Sequence, residues 1–480
     1  MADIDDLLKA RYYQEGETQW GQIAERVANQ LFPKDSKEWQ ETRWAIQRKK
    51  FMPSSPVLMN AGTQRPMMSS CFVLPIEDDI DAIMNSLHNT VRIQKYGGGV
   101  GINFSPIRPE GSKISTTGGK ASGPVSFMKF WNCAMQVIRQ AGKRQGALMG
   151  VLNWDHPDLD RFIEAKKEEG ILTNFNLSLG LDEAFWEMLE EGDEYAQSVL
   201  SKVAKAAYNN GEPGVLFLDR INENSAYHQR IEATNPCGEV PIPPYGACCL
   251  GSINLKECVV LGEEEGFQFD WEEFLRLVDL GIHVLDRVVA KSWWPIPEIE
   301  EFERQHWPLG LGVMGLADTL ALLEIPYASE EAQAWVDRLM RTMRETADAA
   351  SKRISEKYDH PRHATVMSIA PTGSISMLAG CSYSIEPYFT LSGVKNVEQG
   401  TFAIQNGVFQ RILDLHEIEL SNRDRQTISE TGSVQSTSLP PDIKRLFLTA
   451  TEMAPEWHIS MQSIIQSYVD NSVSKTINLP

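Results

Sequence analysis

The sequence predicts an α/β protein. Three observations carry that expectation. Short apolar runs of strand length recur between amphipathic helical stretches along most of the chain. Several of those runs end in turns rich in glycine, proline or serine. At 480 residues, 42% hydrophobic and 23% charged, the chain can bury a large core, as one large barrel or as two or three smaller domains.

The strand-like runs are Gly101 to Phe104, Ala147 to Leu152, Phe175 to Leu179 and Ala364 to Ala370. The clearest helix starts at Ser329, where Glu330 and Glu331 sit at the positive end of the helix dipole. Ala332, Trp335, Leu339, Met343, Ala347, Ala350 and Ile354 then recur on one face. Another helix begins near Asp182, with Phe185, Met188 and Leu189 directed inward. The first 45 residues or so also read as helical and are expected to pack outside the core. Periodicity alone does not separate an open sheet from a closed barrel. In either case the acting groups are expected on loops that follow strands.

A net charge of −20 argues against a general nucleic-acid or membrane-surface binder, because neutralising phosphates takes a basic excess. Small phosphorylated ligands need only a few local donors and remain compatible. No apolar run approaches the ~18 residues of a membrane span. The acidic start, Met1 to Asp6, has no signal-peptide pattern, so the expected location is cytoplasmic. The seven cysteines are few and odd in number, which argues against a disulfide scaffold. Without a CxxC pair or a Cys/His ligand spacing, no metal site is expected.

The densest segment is Asn235-Pro236-Cys237-Gly238-Glu239, and prolines at 236, 241, 243 and 244 make it a loop. Residues two apart in an extended loop point the same way, so Cys237 and Glu239 are able to face one substrate. The same segment also reads as a proline-rich turn with a buried cysteine and a surface acid. Downstream, Cys248 and Cys249 are adjacent and are not expected to bond to each other. Cys71, in Ser69-Ser70-Cys71, is a candidate partner, although sequence spacing cannot show that they meet. Ala370 to Ser376 (APTGSIS) follows an apolar strand and suits phosphate binding, or a plain strand-to-helix turn. Gly310 to Gly315 matches GxGxxG, but Gln305-His306-Trp307-Pro308 before it is no convincing strand, so no dinucleotide site is assigned. Gly97 to Gly101 reads as close backbone packing at a strand entry. Gly111 to Pro124 reads as a mobile loop, and Lys143-Arg144 as a solvated basic pair.

Taken in order, the segments at 69–71 (SSC), 235–239 (NPCGE), 245–255 (YGACCLGSINL), 370–376 (APTGSIS), and 456–462 (EWHISMQ) through 474–480 (SKTINLP) resemble the catalytic subunit of ribonucleotide reductases. The likeness runs from about residue 8 to the end and looks closest to the adenosylcobalamin-dependent branch. A related minimal branch pairs a similar chain with a separate ferritin-like metal subunit. The resemblance implies a ten-stranded α/β barrel with a central finger loop, thus a helical region at 1–50 and a catalytic barrel at 51–480. It implies that Cys237 carries a thiyl radical, that Glu239 takes the 3′-hydroxyl proton, and that Asn235 holds the sugar hydroxyls. Cys71 and Cys248 would supply the reducing electrons, Cys248 taking that role by its place in the motif. Ser55, Ser70, Pro371, Thr372, Gly373, Ser374, Ile375 and Ser376 would bind substrate. Asp78, Arg108, Lys113, Ser115 and Lys166 would bind a deoxynucleotide or ATP effector at a homodimer interface. A thioredoxin- or glutaredoxin-type reductant would serve the cysteines.

Two departures shape the expectation. The likeness starts so early that no N-terminal ATP-cone is expected. The chain also stops at Pro480, where relatives continue into further barrel structure and a cysteine-bearing tail. Competing readings are another thiyl-radical enzyme, an inactive nucleotide-binding regulatory chain, and a nicotinamide dehydrogenase. The cysteine pair, the retained 235–239 motif and the misplaced glycine pattern argue against them in turn.

Overall fold

The computed structural model of the chain describes residues 4–138, 146–262, 266–397 and 400–479. Lys143-Arg144 lies outside the described residues. In chain order the strands are β1 (Phe51–Pro53), β2 (Cys71–Val73), β3 (Gly99–Asn103), β4 (Leu148–Asn153), β5 (Phe175–Leu181), β6 (Gly214–Phe217), β7 (Ala247–Asn254), β8 (Val259–Leu261), β9 (Phe267–Phe269), β10 (Leu309–Met314), β11 (Ser392–Val397) and β12 (Gly400–Gln405). Helices occupy most of the intervals between them, which is the α/β class predicted. The chain divides into two compact units, one of residues 69–248 and 293–308, the other of 1–68, 249–292 and 309–480.

In the first unit β2 to β6 form a parallel sheet in sequence order. The start of β7 lies antiparallel against β2. The first five residues of β4, and all of β5 but Asn176, are buried, as strands covered on both faces must be. The helix Glu183–Glu190 begins where predicted, and Asp182 caps it by accepting from the Phe185 N–H. That helix and Glu194–Asn210 pack Phe185, Val199 and Val203 against Leu179 and Leu181 of β5.

In the second unit the rest of β7 pairs with β1 antiparallel and with β10 in parallel. Residues 365–369 continue the parallel arrangement beside β10 through a bridge between Leu311 and Met367, and Ile369 bridges to Val473. The helix Glu330–Tyr358 has the predicted Ser329 cap and buries Ala332, Leu339, Met343, Ala347, Ala350 and Ile354. The N-terminal helices Ile4–Arg11, Trp20–Leu31 and Lys37–Gln47 are not an outer layer: they bury Ile23, Ala24, Val27, Leu31, Ala45 and Ile46. Their apolar faces are wide enough to be core in this unit, with Phe32 meeting His283 edge to face. No described helix is long and apolar enough to cross a membrane.

The run Gly310 to Gly315 forms most of the buried strand β10, not a phosphate turn. A Cβ at Gly312 would overlap the Ser368 carbonyl, so the glycine lets the neighbouring segment approach. We expect Gly312→Ala to cost about 1–3 kcal/mol, read as a lower midpoint in thermal or urea unfolding.

Candidate active site

The candidate site lies within residues 69–248 and 293–308. Residues 234–241 fold back on themselves through a bridge between Thr234 and Pro241. The Asn235 N–H donates to the Val240 carbonyl at 3.3 Å, the Val240 N–H to Asn235 Oδ1 at 2.9 Å, and the Gly238 N–H to the Asn235 carbonyl at 3.0 Å. Gly238 takes φ +84°, a left-handed conformation that suits glycine, and this turns the chain just after Cys237. Cys237 is exposed at the tip, while Asn235 and Glu239 are buried.

The loop is seated by glycines on β3. A Cβ at Gly101 would overlap the Thr234 carbonyl, and one at Gly99 would come within 2.8 Å of the Pro236 ring. Residues two apart share a sheet face, so these glycines clear one continuous groove for the loop. Two amides pin it there: Asn176 Nδ2 donates to the Pro236 carbonyl at 2.7 Å, and Asn103 Nδ2 to the Glu232 carbonyl at 3.1 Å. Sequence reading missed both asparagines. The available signal was a polar residue inside an apolar strand run, at Ile102-Asn103-Phe104 and Phe175-Asn176-Leu177.

The structure brings Cys71 and Cys248 together as direct register partners across the antiparallel β2–β7 pair. Opposed residues in such a pair share a face, with Cβ atoms about 4.5–5.5 Å apart. A disulfide needs about 3.5–4.5 Å, so a small closing movement suffices. Cys249, next along the strand, points to the other face. The Ser69 hydroxyl donates to the Cys248 carbonyl at 2.7 Å and braces the pairing.

Cys71 also meets the loop. Asn235 Nδ2 donates to Cys71 Sγ at 3.1 Å, Cys71 Sγ lies 3.9 Å from Glu239 Oε1, and the Ser70 hydroxyl is 3.5 Å away. Asn235, Glu239 and Cys71 therefore form one buried polar cluster beneath the exposed Cys237. Burial raises the Glu239 carboxyl to about 7, against the pull of Asn235 and Cys71, which favour the charged form. Burial and then the Glu239 charge push the Cys71 thiol well up, so it keeps its proton. The site thus pairs a carboxyl poised near neutrality with a thiol that holds a proton to give.

A further acid was missed. Glu303, on the helix Pro297–His306, accepts the Ala247 N–H at 3.1 Å, one residue from Cys248. It is buried, and burial holds its carboxyl well above the ordinary range. In sequence it looks like one more charge on an acidic helix.

The remaining candidates divide. In the other unit the 370–376 segment feeds the helix Gly373–Ala379. The Thr372 and Ser376 hydroxyls are 2.7 Å apart and buried, and Ser376 also meets the Met314 sulfur. Both hydroxyls are thus turned inward. Ile375 is buried, Pro371 and Ser374 are half-buried, and Gly373 is exposed. Ser55 hydrogen-bonds Tyr12 at 3.0 Å. Among the effector candidates, Asp78 and Arg108 form an ion pair at 2.6 Å, each about one-third exposed. Lys113 and Ser115 are exposed on the 111–124 loop, which is closed by a bridge between Lys113 and Lys120. Backbone pairing of Ala121 with Ser112 and of Ile114 with Gly119 supports that closure. Lys166 is half-buried and commits its ammonium to Glu212 at 2.6 Å.

Comparisons with known proteins agree with one another. The profile described as "Ribonucleotide reductase, barrel domain" matches residues 69–198, 193–361 and 360–480. That described as "Ribonucleotide reductase, all-alpha domain" matches residues 6–66. The chain is 38% identical to the vitamin B12-dependent ribonucleoside-diphosphate reductase of Mycobacterium tuberculosis (strain CDC 1551 / Oshkosh), covering 94% of this chain and 69% of that protein. It is 39% identical to the protein of the same description from Thermoplasma acidophilum, covering 89% of this chain and 60% of that one. Among solved structures, the Actinobacillus ureae class Id ribonucleotide reductase alpha subunit superimposes with a TM-score of 0.82 at 25% identity, covering 98% and 90% of the two chains.

Two outcomes follow from this geometry. Mild oxidation without reductant is expected to join Cys71 to Cys248, read by peptide mapping, and Cys249→Ser is expected to leave that bond unchanged. Glu239 binds its proton more tightly when folded than the ordinary 4.5, so it contributes stability below pH 4.5 that is lost as pH rises through about 7. We expect Glu239→Gln to exceed the wild type in stability by up to ~3 kcal/mol at about pH 8, with the gap closing in acid, by urea unfolding across pH.

Proposed function

This chain belongs to the ribonucleotide reductase family as a large, catalytic subunit, and from that premise we propose that it reduces ribonucleoside di- or triphosphates to 2′-deoxyribonucleotides with adenosylcobalamin as radical source, in the cytoplasm. The observation that carries the reading is the direct pairing of Cys71 with Cys248 beneath a loop that presents Cys237, Asn235 and Glu239.

The fit to adenosylcobalamin rests on Cys237. It is the one exposed thiol of the cluster, at a tip whose only other unburied member is Gly238. When bound, the cofactor supplies the one-electron oxidation that turns the Cys237 thiol into a thiyl. The chain's own residues do the rest. Cys237 takes the 3′-hydrogen of the ribose and later returns it. Glu239 accepts the 3′-hydroxyl proton, which its poise near neutrality suits. Asn235 holds the sugar hydroxyls in register. Cys71 protonates the departing 2′-hydroxyl, which leaves as water, and Cys71 and Cys248 give up two electrons and end as a disulfide. One ribonucleotide and two thiols thus yield one deoxyribonucleotide, one disulfide and one water. Burial of Asn235, Glu239 and Cys71 strengthens the hydrogen bonds among them.

Substrate phosphate is assigned to the helix start at the exposed Gly373 and the half-buried Ser374, flanked by Pro371, Thr372, Ile375 and Ser376, with Ser55 and Ser70 as further substrate contacts. The effector, a deoxynucleotide or ATP, is assigned to the surface of Asp78, Arg108, Lys113 and Ser115, where the ion pair would open to offer Arg108 to phosphate. A homodimer and a thioredoxin- or glutaredoxin-type reductant complete the reading. The class Id alpha-subunit likeness favours one second reading, in which a ferritin-like metal subunit supplies the radical.

The test is turnover of a cytidine nucleotide with dithiothreitol and adenosylcobalamin, followed by chromatography. Deoxycytidine nucleotide is expected, with an acidic limb in kcat/KM near pH 7 from Glu239. Cys237→Ser is expected to be inert while still binding nucleotide. Product only with a ferritin-like subunit would move the assignment to the second reading, and turnover by Cys237→Ser would remove that residue from its role.

A further inference from the structure

We propose that Asp286, His360 and His363 form a site for one divalent transition-metal ion of the zinc type, within the unit that holds residues 249–292 and 309–480. Asp286 lies near the end of the helix Trp271–Lys291, and the two histidines lie just beyond the helix Glu330–Tyr358. His360 Nε2 is 2.7 Å and His363 Nε2 3.1 Å from the same oxygen, Asp286 Oδ1. All three ligand atoms fall within 4.8 Å of one another. An ion bound at 2.0–2.1 Å in tetrahedral geometry needs its ligands ~3.3 Å apart, a spacing that the two contacts to Asp286 Oδ1 approach from just below. The side chains of Asp286 and His363 are fully buried, and that of His360 nearly so.

The outer atoms of the three ligands are already occupied. His360 Nδ1 is 2.7 Å from the Pro361 carbonyl, His363 Nδ1 is 2.8 Å from the Ser351 hydroxyl, and Asp286 Oδ2 is 2.6 Å from the Arg287 guanidinium. Such outer partners fix the tautomer and aim of metal ligands. The Pro361 carbonyl can only accept, so His360 Nδ1 carries the proton. In the neutral ring this leaves Nε2 as a bare lone pair facing a carboxylate oxygen at 2.7 Å. Two acceptors at that distance repel unless a positive charge lies with them. A metal ion answers this for His360, and His363 Nε2 can join it when its Nδ1–H is given to the Ser351 hydroxyl. The alternative, an extra proton on His360, makes the cluster a hydrogen-bonded brace and nothing more. Two imidazoles and one carboxylate suit zinc and its first-row neighbours over calcium or magnesium, which prefer all-oxygen sites. Sequence reading missed the set because the His-x-x-His spacing has its third member 77 residues away from His363.

The experiment titrates the metal-stripped full chain with Zn²⁺ by calorimetry and with Co²⁺ by electronic absorption. One ion per chain is expected, with a raised thermal midpoint and ligand-field bands of a low-coordinate nitrogen and oxygen site. His360→Ala and His363→Ala should each weaken Zn²⁺ binding by more than about tenfold, beyond the loss typical of an outer partner. No binding, or equal binding in both variants, would overturn the proposal. Should the variants fold poorly, the wild-type Co²⁺ spectrum still decides: a thiolate charge-transfer band would place the ion on cysteines, and the aqueous-ion spectrum would mean no site.

Discussion

The antiparallel meeting of β2 with β7 is the constraint on which the site depends. Register in a sheet is quantised: a slip of one residue turns every side chain to the opposite face. With Phe72 opposite Ala247 and Cys71 opposite Cys248, the two thiols share a face and Cys249 is excluded from it. The approach of the two thiols therefore rests on backbone pairing, which is stiff, and not on two loops finding each other. The Ser69 hydroxyl on the Cys248 carbonyl adds a side-chain bond across the same pairing.

The loop that faces this pair needs room that ordinary side chains would fill. Gly99 and Gly101, two apart on β3, remove the obstruction at Pro236 and Thr234. Asn103 and Asn176 then replace the missing side-chain packing with directed hydrogen bonds to the loop backbone. The result carries buried polar groups at a cost, since Glu239 cannot ionise there as readily as in water. That same cost sets its proton affinity: an acid raised to about 7 exchanges a proton near neutrality, where an ordinary carboxyl would remain charged. Stability is traded for poise at one residue, and the surrounding apolar strands absorb the loss.

Sequence reading succeeded where local pattern and structure obey the same rule. The helix starts at Ser329 and near Asp182, the long amphipathic helix and the runs at β3, β4 and β5 all follow local sequence pattern directly. The loop with Cys237 and Glu239 was legible from its prolines, but it turns at Gly238 and does not run extended, so Cys237 is exposed while Glu239 is buried. Pairing across long separations was not, because Cys71 and Cys248 meet only through register that neither segment encodes alone. The Gly310 to Gly315 pattern shows the opposite failure. Correctly denied a dinucleotide role, it was still not seen as a strand, since glycine weakens the strand signal where close packing demands it most. The inward turn of the Thr372 and Ser376 hydroxyls and the capture of Lys166 by Glu212 likewise depend on tertiary partners.

The buried charges outside the candidate active site follow a different logic from those within it. Glu239 and Glu303 are raised because little compensates their burial. Asp286 is held below the usual carboxylate range, although burial opposes this, because His363 and Arg287 stabilise its charged form. One buried carboxyl is thus held near neutrality and another is held charged, by environment alone. Residue type cannot make that distinction: Asp286 and Glu239 are both buried carboxylic acids. What separates them is whether the neighbours favour the charge, and that is decided by which helices and strands the fold brings together.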